Sequence, residues 1–275
     1  MIRVYSTPTG TVLESEGKFT KPASPIGIDA IFQADDALAL LRGLIAAGSP
    51  ADKPTQVNAP VQTQEVWASG VTYYRSRTAR MAESKDAGGG TFYDRVYEAD
   101  RPELFFKATP HRVVGPGGGA RIRADSKWNV PEPELTLAIN AKGYVFGYTI
   151  GNDMSSRDIE GENPLYLPQA KSYDGAAAIG PCLVVAAELP GPTTVIAIEI
   201  ARDGKVVFKG DTTVGQIKRP LRSLADWLCR ENSFPTGCYL MTGTGIVPGD
   251  EFTLNKGDIV SITIDTVGTL VNPVA

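Results

Sequence analysis

The stretch Val130–Asn140 reads V-P-E-P-E-L-T-L-A-I-N, and after the turn residues Ala141-Lys142-Gly143-Tyr144 comes Val145–Asp153, V-F-G-Y-T-I-G-N-D. Two apolar runs that alternate with period two and are joined by a Gly-containing turn predict an antiparallel β-hairpin. Pro131 and Pro133 bar a helix and hold the entry extended. Side chains two apart on an extended strand share a face, so Glu132 and Glu134 point together. Two such carboxylates repel unless a proton or cation lies between them, and hard divalent ions choose oxygen ligands of this kind. Asp153 ends the second strand, where antiparallel pairing brings it opposite the glutamates as a candidate third ligand. The same spacing would also suit a solvated edge strand that uses charge against aggregation.

Outward from this hairpin, Cys182–Ala186, Val195–Ile200, Val206–Lys209 and Ile259–Ile264 repeat the strand pattern. One helix, Pro220–Arg230, interrupts them, opened by its proline. Strands separated by Gly, Pro and Asp turns, with few helices long enough for crossovers, predict a β-rich α+β chain with a mostly antiparallel or mixed sheet. Upstream, Ile2–Ser6 and Thr11–Leu13 read as short strands, and Asp35–Ala47 as a helix capped by aspartate and stopped at Gly48. The polar, Pro-containing run Ser49–Gln64 reads as a connector. Two units are therefore expected: residues 1–62, a small N-terminal α+β domain with its linker, and residues 63–275, a β-rich domain. Met81–Glu98, with three consecutive glycines, reads as a loop suited to a lid or to a surface connection.

Of 275 residues, 27 are basic and 31 acidic, a net charge of −4, so the chain lacks the basic footprint of nucleic-acid or anionic-membrane binding. No run approaches the roughly 20 apolar residues of a membrane span, and no leader pattern opens the chain. The three cysteines Cys182, Cys229 and Cys238 form neither a CxxC pair nor a disulfide framework, which points to the cytoplasm. His111 is the only histidine, which excludes a three-histidine zinc site and leaves Ser or Cys nucleophiles at most one imidazole partner. Lys171 lies in a long polar run after Asp153; a lysine beside a cation has its ammonium form disfavoured and suits proton transfer.

Leu104–Pro116 (L-F-F-K-A-T-P-H-R-V-V-G-P), Pro131–Leu135, Gly147–Asp158 (G-Y-T-I-G-N-D-M-S-S-R-D), Q-A-K-S-Y-D-G around Lys171, and Thr242–Val274 stand in the order found in the fumarylacetoacetate hydrolase superfamily, which the chain resembles over roughly residues 66–275. The resemblance implies a β-roll catalytic domain, a homodimer or dimer of dimers, and a Mg²⁺ site, with Mn²⁺ or Ca²⁺ as alternatives, ligated by Glu132, Glu134 and Asp153. It assigns the family's lysine to Lys171 and substrate contacts to Lys107 and Thr244, with Ser69 and Thr72 expected beside them.

Carbon–carbon bond hydrolases of the superfamily carry a water-activating histidine after the first catalytic strand, whereas Ser69–Glu83 (S-G-V-T-Y-Y-R-S-R-T-A-R-M-A-E) has none and no acidic residue before Glu83. Thr72 and Ser76 stand there instead. The run S-R-D-I-E-G-E-N-P-L-Y-L-P-Q-A-K is similar to the 2-keto-3-deoxypentonate dehydratase subgroup, which forms 2,5-dioxopentanoate. That resemblance implies a hydro-lyase acting on a small 2-keto acid through a metal-stabilised enolate. Lys171 is then expected to move a proton or orient the keto acid, Glu160 or Glu162 to act as acid or base near the C4 hydroxyl, and Arg157 to brace the Asp153 loop through a carboxylate pair. A hydrolase or decarboxylase of a diketo acid or acylpyruvate remains the alternative enzyme. A catalytically silent metal-binding protein is the third reading; it would not exchange the C3 protons of a bound 2-keto acid.

Overall fold

A computed structural model describes residues 1–73 and 95–275. Most of the expected lid segment, and Ser76 and Glu83, lie outside the described residues. The hairpin forms as read: Pro133–Ile139 pairs antiparallel with Val145–Asp153, with Glu134 opposite Gly151. Every residue of the first strand is buried, so the edge-strand reading of E-P-E is excluded.

This hairpin is the middle of a large sheet. On one side Val145–Asp153 pairs with Ala177–Val185, which pairs in turn with Ile2–Thr7 and the N-terminal strands Gly10–Ser15 and Lys18–Lys21. On the other side Pro133–Ile139 pairs with Cys238–Met241, followed by Glu65–Gly70 and Glu103–Ala108. All these pairings are antiparallel except that of Cys238–Met241 with Glu65–Gly70. A second, four-stranded antiparallel sheet orders Lys205–Thr213, Val195–Arg202, Ile259–Ile264 and Gly268–Pro273.

Period-two alternation sorts the side chains onto two cores. Leu135, Leu137, Ile139, Tyr148 and Ile150 pack with Ile196, Ile198, Ile262 and Ile264 of the second sheet and with Leu224 and Leu228 of the helix Leu221–Leu228. The opposite face takes Ile31, Phe32 and Leu41 from the helices Ile28–Gln33 and Ala37–Ala47 against Ala138, Leu183, Tyr239 and Met241. Asp36 caps the second of these helices by accepting from the Ala39 N–H at 2.9 Å. Phe32 meets Phe146 and Tyr239 edge-on, and each such buried side chain contributes about 1.5–3 kcal/mol. The chain is thus a mixed, sheet-rich fold with few helices. The polar run after Asp153, read as irregular, contains the short helices Arg157–Glu162 and Leu167–Lys171, each too brief to show periodicity. Among the described residues no helix is long and apolar enough to cross a membrane.

Candidate active site

The two prolines hold Glu132 extended just before the Pro133–Ile139 strand, and the hairpin closes over it: Asp153 N–H donates to the Glu132 carbonyl at 3.0 Å, and Glu132 N–H to Asn152 Oδ1 at 3.2 Å. Carboxylate oxygens of Glu132, Glu134 and Asp153 then lie within 4.8 Å of one another, on side chains that are almost wholly buried. These three oxygen donors, with no imidazole or thiol among the residues lining the cavity, form a set suited to a hard divalent cation.

Three cations hold the carboxylates. Lys171, at the end of its short helix, donates to Glu132 Oε2 at 2.8 Å, Asp153 Oδ2 at 2.9 Å and Ser155 Oγ at 2.5 Å. Arg157 donates to Glu132 Oε1 at 2.8 Å, and its Nε lies 3.9 Å from Glu160. Lys107 lies 2.5 Å from Asp153 Oδ1 and donates to the carbonyls of Met154 and Lys171. Burial pulls the Lys107 ammonium below the ordinary lysine range, against the opposing pull of Asp153. Glu134 accepts the Gly243 N–H at 2.5 Å. Burial first, then the charges of Asp153 and Glu132, push its carboxyl well above the usual carboxylate range, and a divalent ion among the three would reverse that push.

A small cavity of about 20 Å³ opens onto these groups, lined further by Ser69, Gly70, Val71, Phe105, Gly243 and Thr244. Of the sequence-derived candidates, Glu132, Glu134, Asp153, Lys171, Ser69 and Thr244 therefore meet at one cavity. Lys107 stands behind Asp153 rather than on the wall, and Thr72 is buried with its hydroxyl on the Thr242 carbonyl. Glu160 is buried beside Arg157, whereas Glu162 is exposed; neither lines the cavity. His111 is exposed and bonds Thr109.

Arg157, expected to brace the Asp153 loop through a carboxylate pair, pairs with Glu132, whose carbonyl accepts the Asp153 N–H. Sequence reasoning missed Ser155, Phe105, Val71 and Gly243. The T-G-T-G run signalled that a backbone group matters there, since Gly243 has φ +90 and a Cβ on it would overlap Thr72 Oγ1. Val71 had no such signal: a β-branched residue at φ 54 stores about 1–3 kcal/mol of strain in the cavity wall.

The chain is similar to the 2-dehydro-3-deoxy-D-arabinonate dehydratase of Saccharolobus solfataricus, 45% identical over 222 residues, which are 80% of this chain and 74% of that one. The probable 2-keto-3-deoxyxylonate dehydratase of Haloferax volcanii is 47% identical over 216 residues, 78% of this chain and 73% of its own. The solved structure of a 2-keto-3-deoxy-D-arabinonate dehydratase complexed with magnesium and 2,5-dioxopentanoate superposes with a TM-score of 0.83 at 34% identity, covering 99% of this chain and 98% of that one. Residues 66–275 match the C-terminal domain of fumarylacetoacetate hydrolase, and the chain belongs to that family.

Proposed function

We propose that this protein is a Mg²⁺-dependent hydro-lyase that converts a 2-keto-3-deoxypentonate to 2,5-dioxopentanoate. The observation that carries the reading is the buried Glu132–Glu134–Asp153 triad with Lys171 in contact with two of its members, in a chain whose relatives at 45 and 47% identity are named dehydratases of such acids. Glu132, Glu134 and Asp153 would hold the cation, which when bound supplies Lewis-acid polarisation of the 2-keto acid's carboxylate and keto oxygens.

The protein's own groups divide the remaining work. Lys171 faces the cavity and is the group we assign to the C3 proton. Its Nζ donates to Glu132 and Asp153, and a cation held by those carboxylates would weaken both hydrogen bonds and leave the amine better able to accept a proton. Arg157, steadied by Glu160, fixes Glu132, and Lys107 fixes Asp153, so that neither carboxylate swings when substrate enters. Ser69 and Thr244 line the substrate space, and Thr72 supports it through Thr242. Hydroxide departure from C4 needs no activated water, which agrees with a first catalytic segment that lacks histidine. The three free thiols agree with a cytoplasmic protein, and assembly as a homodimer or dimer of dimers is the state the family resemblance implies.

Incubation with synthetic 2-keto-3-deoxypentonates and with an acylpyruvate, followed by NMR with Mg²⁺ and then with EDTA, tests the reading. It expects 2,5-dioxopentanoate that stops forming with EDTA. Cleavage of the acylpyruvate without dehydration would replace it with the hydrolase alternative.

A further inference from the structure

Lys171 ends a short helix, and its flexible four-carbon stem places the amine only where partners at the tip hold it. Glu132 Oε2 and Asp153 Oδ2 accept from Nζ at 2.8 and 2.9 Å, Ser155 Oγ accepts at 2.5 Å, and the Phe105 ring lies 5.7 Å away on the cavity wall. Two of these three acceptors are the candidate metal ligands, and a cation set among them draws on the same oxygens. Ser155 is the acceptor that such a cation leaves to Lys171. It is wholly buried and is not part of the cavity wall, so it holds the amine from the protein interior and stays clear of the substrate space.

The hydroxyl is itself fixed. Ser155–Ser156 pairs antiparallel with Asn129–Val130 through backbone bonds that do not involve either side chain. Alternation turns the two serines to opposite faces: Ser156 Oγ donates to Asn129 Oδ1 at 2.9 Å, whereas Ser155 Oγ donates to the Asp153 carbonyl at 3.0 Å. A hydroxyl carries one proton, and that of Ser155 is committed to the carbonyl. Toward Lys171 it therefore acts as an acceptor. It can orient an N–H of the amine without covering the nitrogen lone pair.

We propose that Ser155 is a positioning residue for proton abstraction, fixing the Lys171 amine so that its lone pair faces C3 of the bound 2-keto acid. The assignment rests on the reading of the protein as a dehydratase in which Lys171 takes the C3 proton. In that step the proton passes to the Nζ lone pair, the C3–H electron pair becomes the C2=C3 bond of the enolate, and the C2=O π pair moves onto the keto oxygen. No oxidant or co-reactant is needed. Removing the Ser155 oxygen returns rotational freedom to the lysine stem in the state where the cation competes for Glu132 and Asp153. The bond from Ser155 to the Asp153 carbonyl offers a structural route to the same loss, and Mg²⁺ affinity separates the two routes.

The experiment follows the Mg²⁺-loaded enzyme by NMR in deuterated water, reading exchange of the C3 protons of a 2-keto-3-deoxypentonate and formation of 2,5-dioxopentanoate. Calorimetry measures Mg²⁺ binding to the substrate-free protein. Ser155→Ala is expected to slow C3 exchange roughly 10- to 100-fold, with product formation slowed in parallel, while KM and the Mg²⁺ Kd stay within about two-fold of wild type. Ser155→Cys, which fills the same place with a weaker acceptor, should give a smaller loss of the same kind. Exchange at the wild-type rate in both variants would overturn the proposal, as would product formation that falls while exchange is kept. A Mg²⁺ Kd weakened by the same factor as exchange would also overturn it, because the hydroxyl would then act through Asp153. Wild-type protein that neither exchanges C3 protons nor forms 2,5-dioxopentanoate would overturn the dehydratase reading and Ser155's role with it, an outcome distinct from a defect confined to the variants.

Discussion

Lys107 and Asp153 form an ion pair of 2.5 Å in which both side chains are almost completely removed from water. Desolvating two charges is repaid only when the pair is complete, and the two backbone carbonyls that Lys107 also serves depend on the same ammonium. Lys107→Met, which keeps much of the volume, is expected to cost about 3–5 kcal/mol, read as a lowered urea midpoint at constant slope. A loss under about 1 kcal/mol would show that Asp153 finds another partner and that Lys107 does not fix it.

Metal binding should stabilise the fold, because the ion bridges carboxylates that otherwise repel. At an Mg²⁺ concentration 100 times its Kd the gain is about 2.7 kcal/mol. Glu134→Gln removes one ligand and replaces the carboxyl that burial and its neighbours disfavour as an anion, so the variant is expected to melt at or above the wild-type temperature without Mg²⁺, to show a much smaller Mg²⁺ shift, and to lose turnover. A wild-type-sized shift in Glu134→Gln would remove Glu134 from the ligand set.

The parts of this molecule that were legible beforehand are those where local pattern and tertiary demand coincide. The strands Val195–Arg202 and Ile259–Ile264 bury alternate residues against the main sheet, so their period-two pattern is the imprint of one covered face. Glu132, Glu134 and Asp153 were legible because one hairpin contains them all. Cys238–Met241 escaped notice because it is four residues long and buried on both faces, which leaves no alternation to detect. Phe105 escaped because its place on the cavity wall arises from the pairing of Glu103–Ala108 with Glu65–Gly70, strands more than 30 residues apart, a relationship that no local spacing encodes.

Gly243 has a second consequence for the cavity. Its φ of +90 suits glycine, and its N–H is the donor that orients Glu134. Gly243→Ala would force a Cβ onto Thr72 Oγ1, whose hydroxyl is already committed to the Thr242 carbonyl. The expected result is a loss of about 1–3 kcal/mol in stability together with weaker Mg²⁺ binding measured by calorimetry. A variant with wild-type Mg²⁺ affinity would show that the Gly243 N–H does not position Glu134.

The N-terminal strands give a prediction in acid. Arg3 donates to Glu14 at 2.5 Å and to the Thr266 carbonyl at 3.1 Å, tying the first hairpin to the C-terminal sheet. Burial raises the Glu14 pKa, but the hydrogen bonds from Arg3 and from Gly17 N–H outweigh it, and the carboxyl lies below its ordinary value of 4.5. A group whose folded pKa is depressed contributes stability above its unfolded pKa and loses it as pH falls through the folded one. Glu14→Gln should therefore be less stable than wild type at pH 7, and the two should converge as the pH falls below about 4. Urea midpoints for both proteins between pH 7 and pH 3 measure this. A difference that stayed constant across that range would mean that Glu14 acts through packing rather than charge.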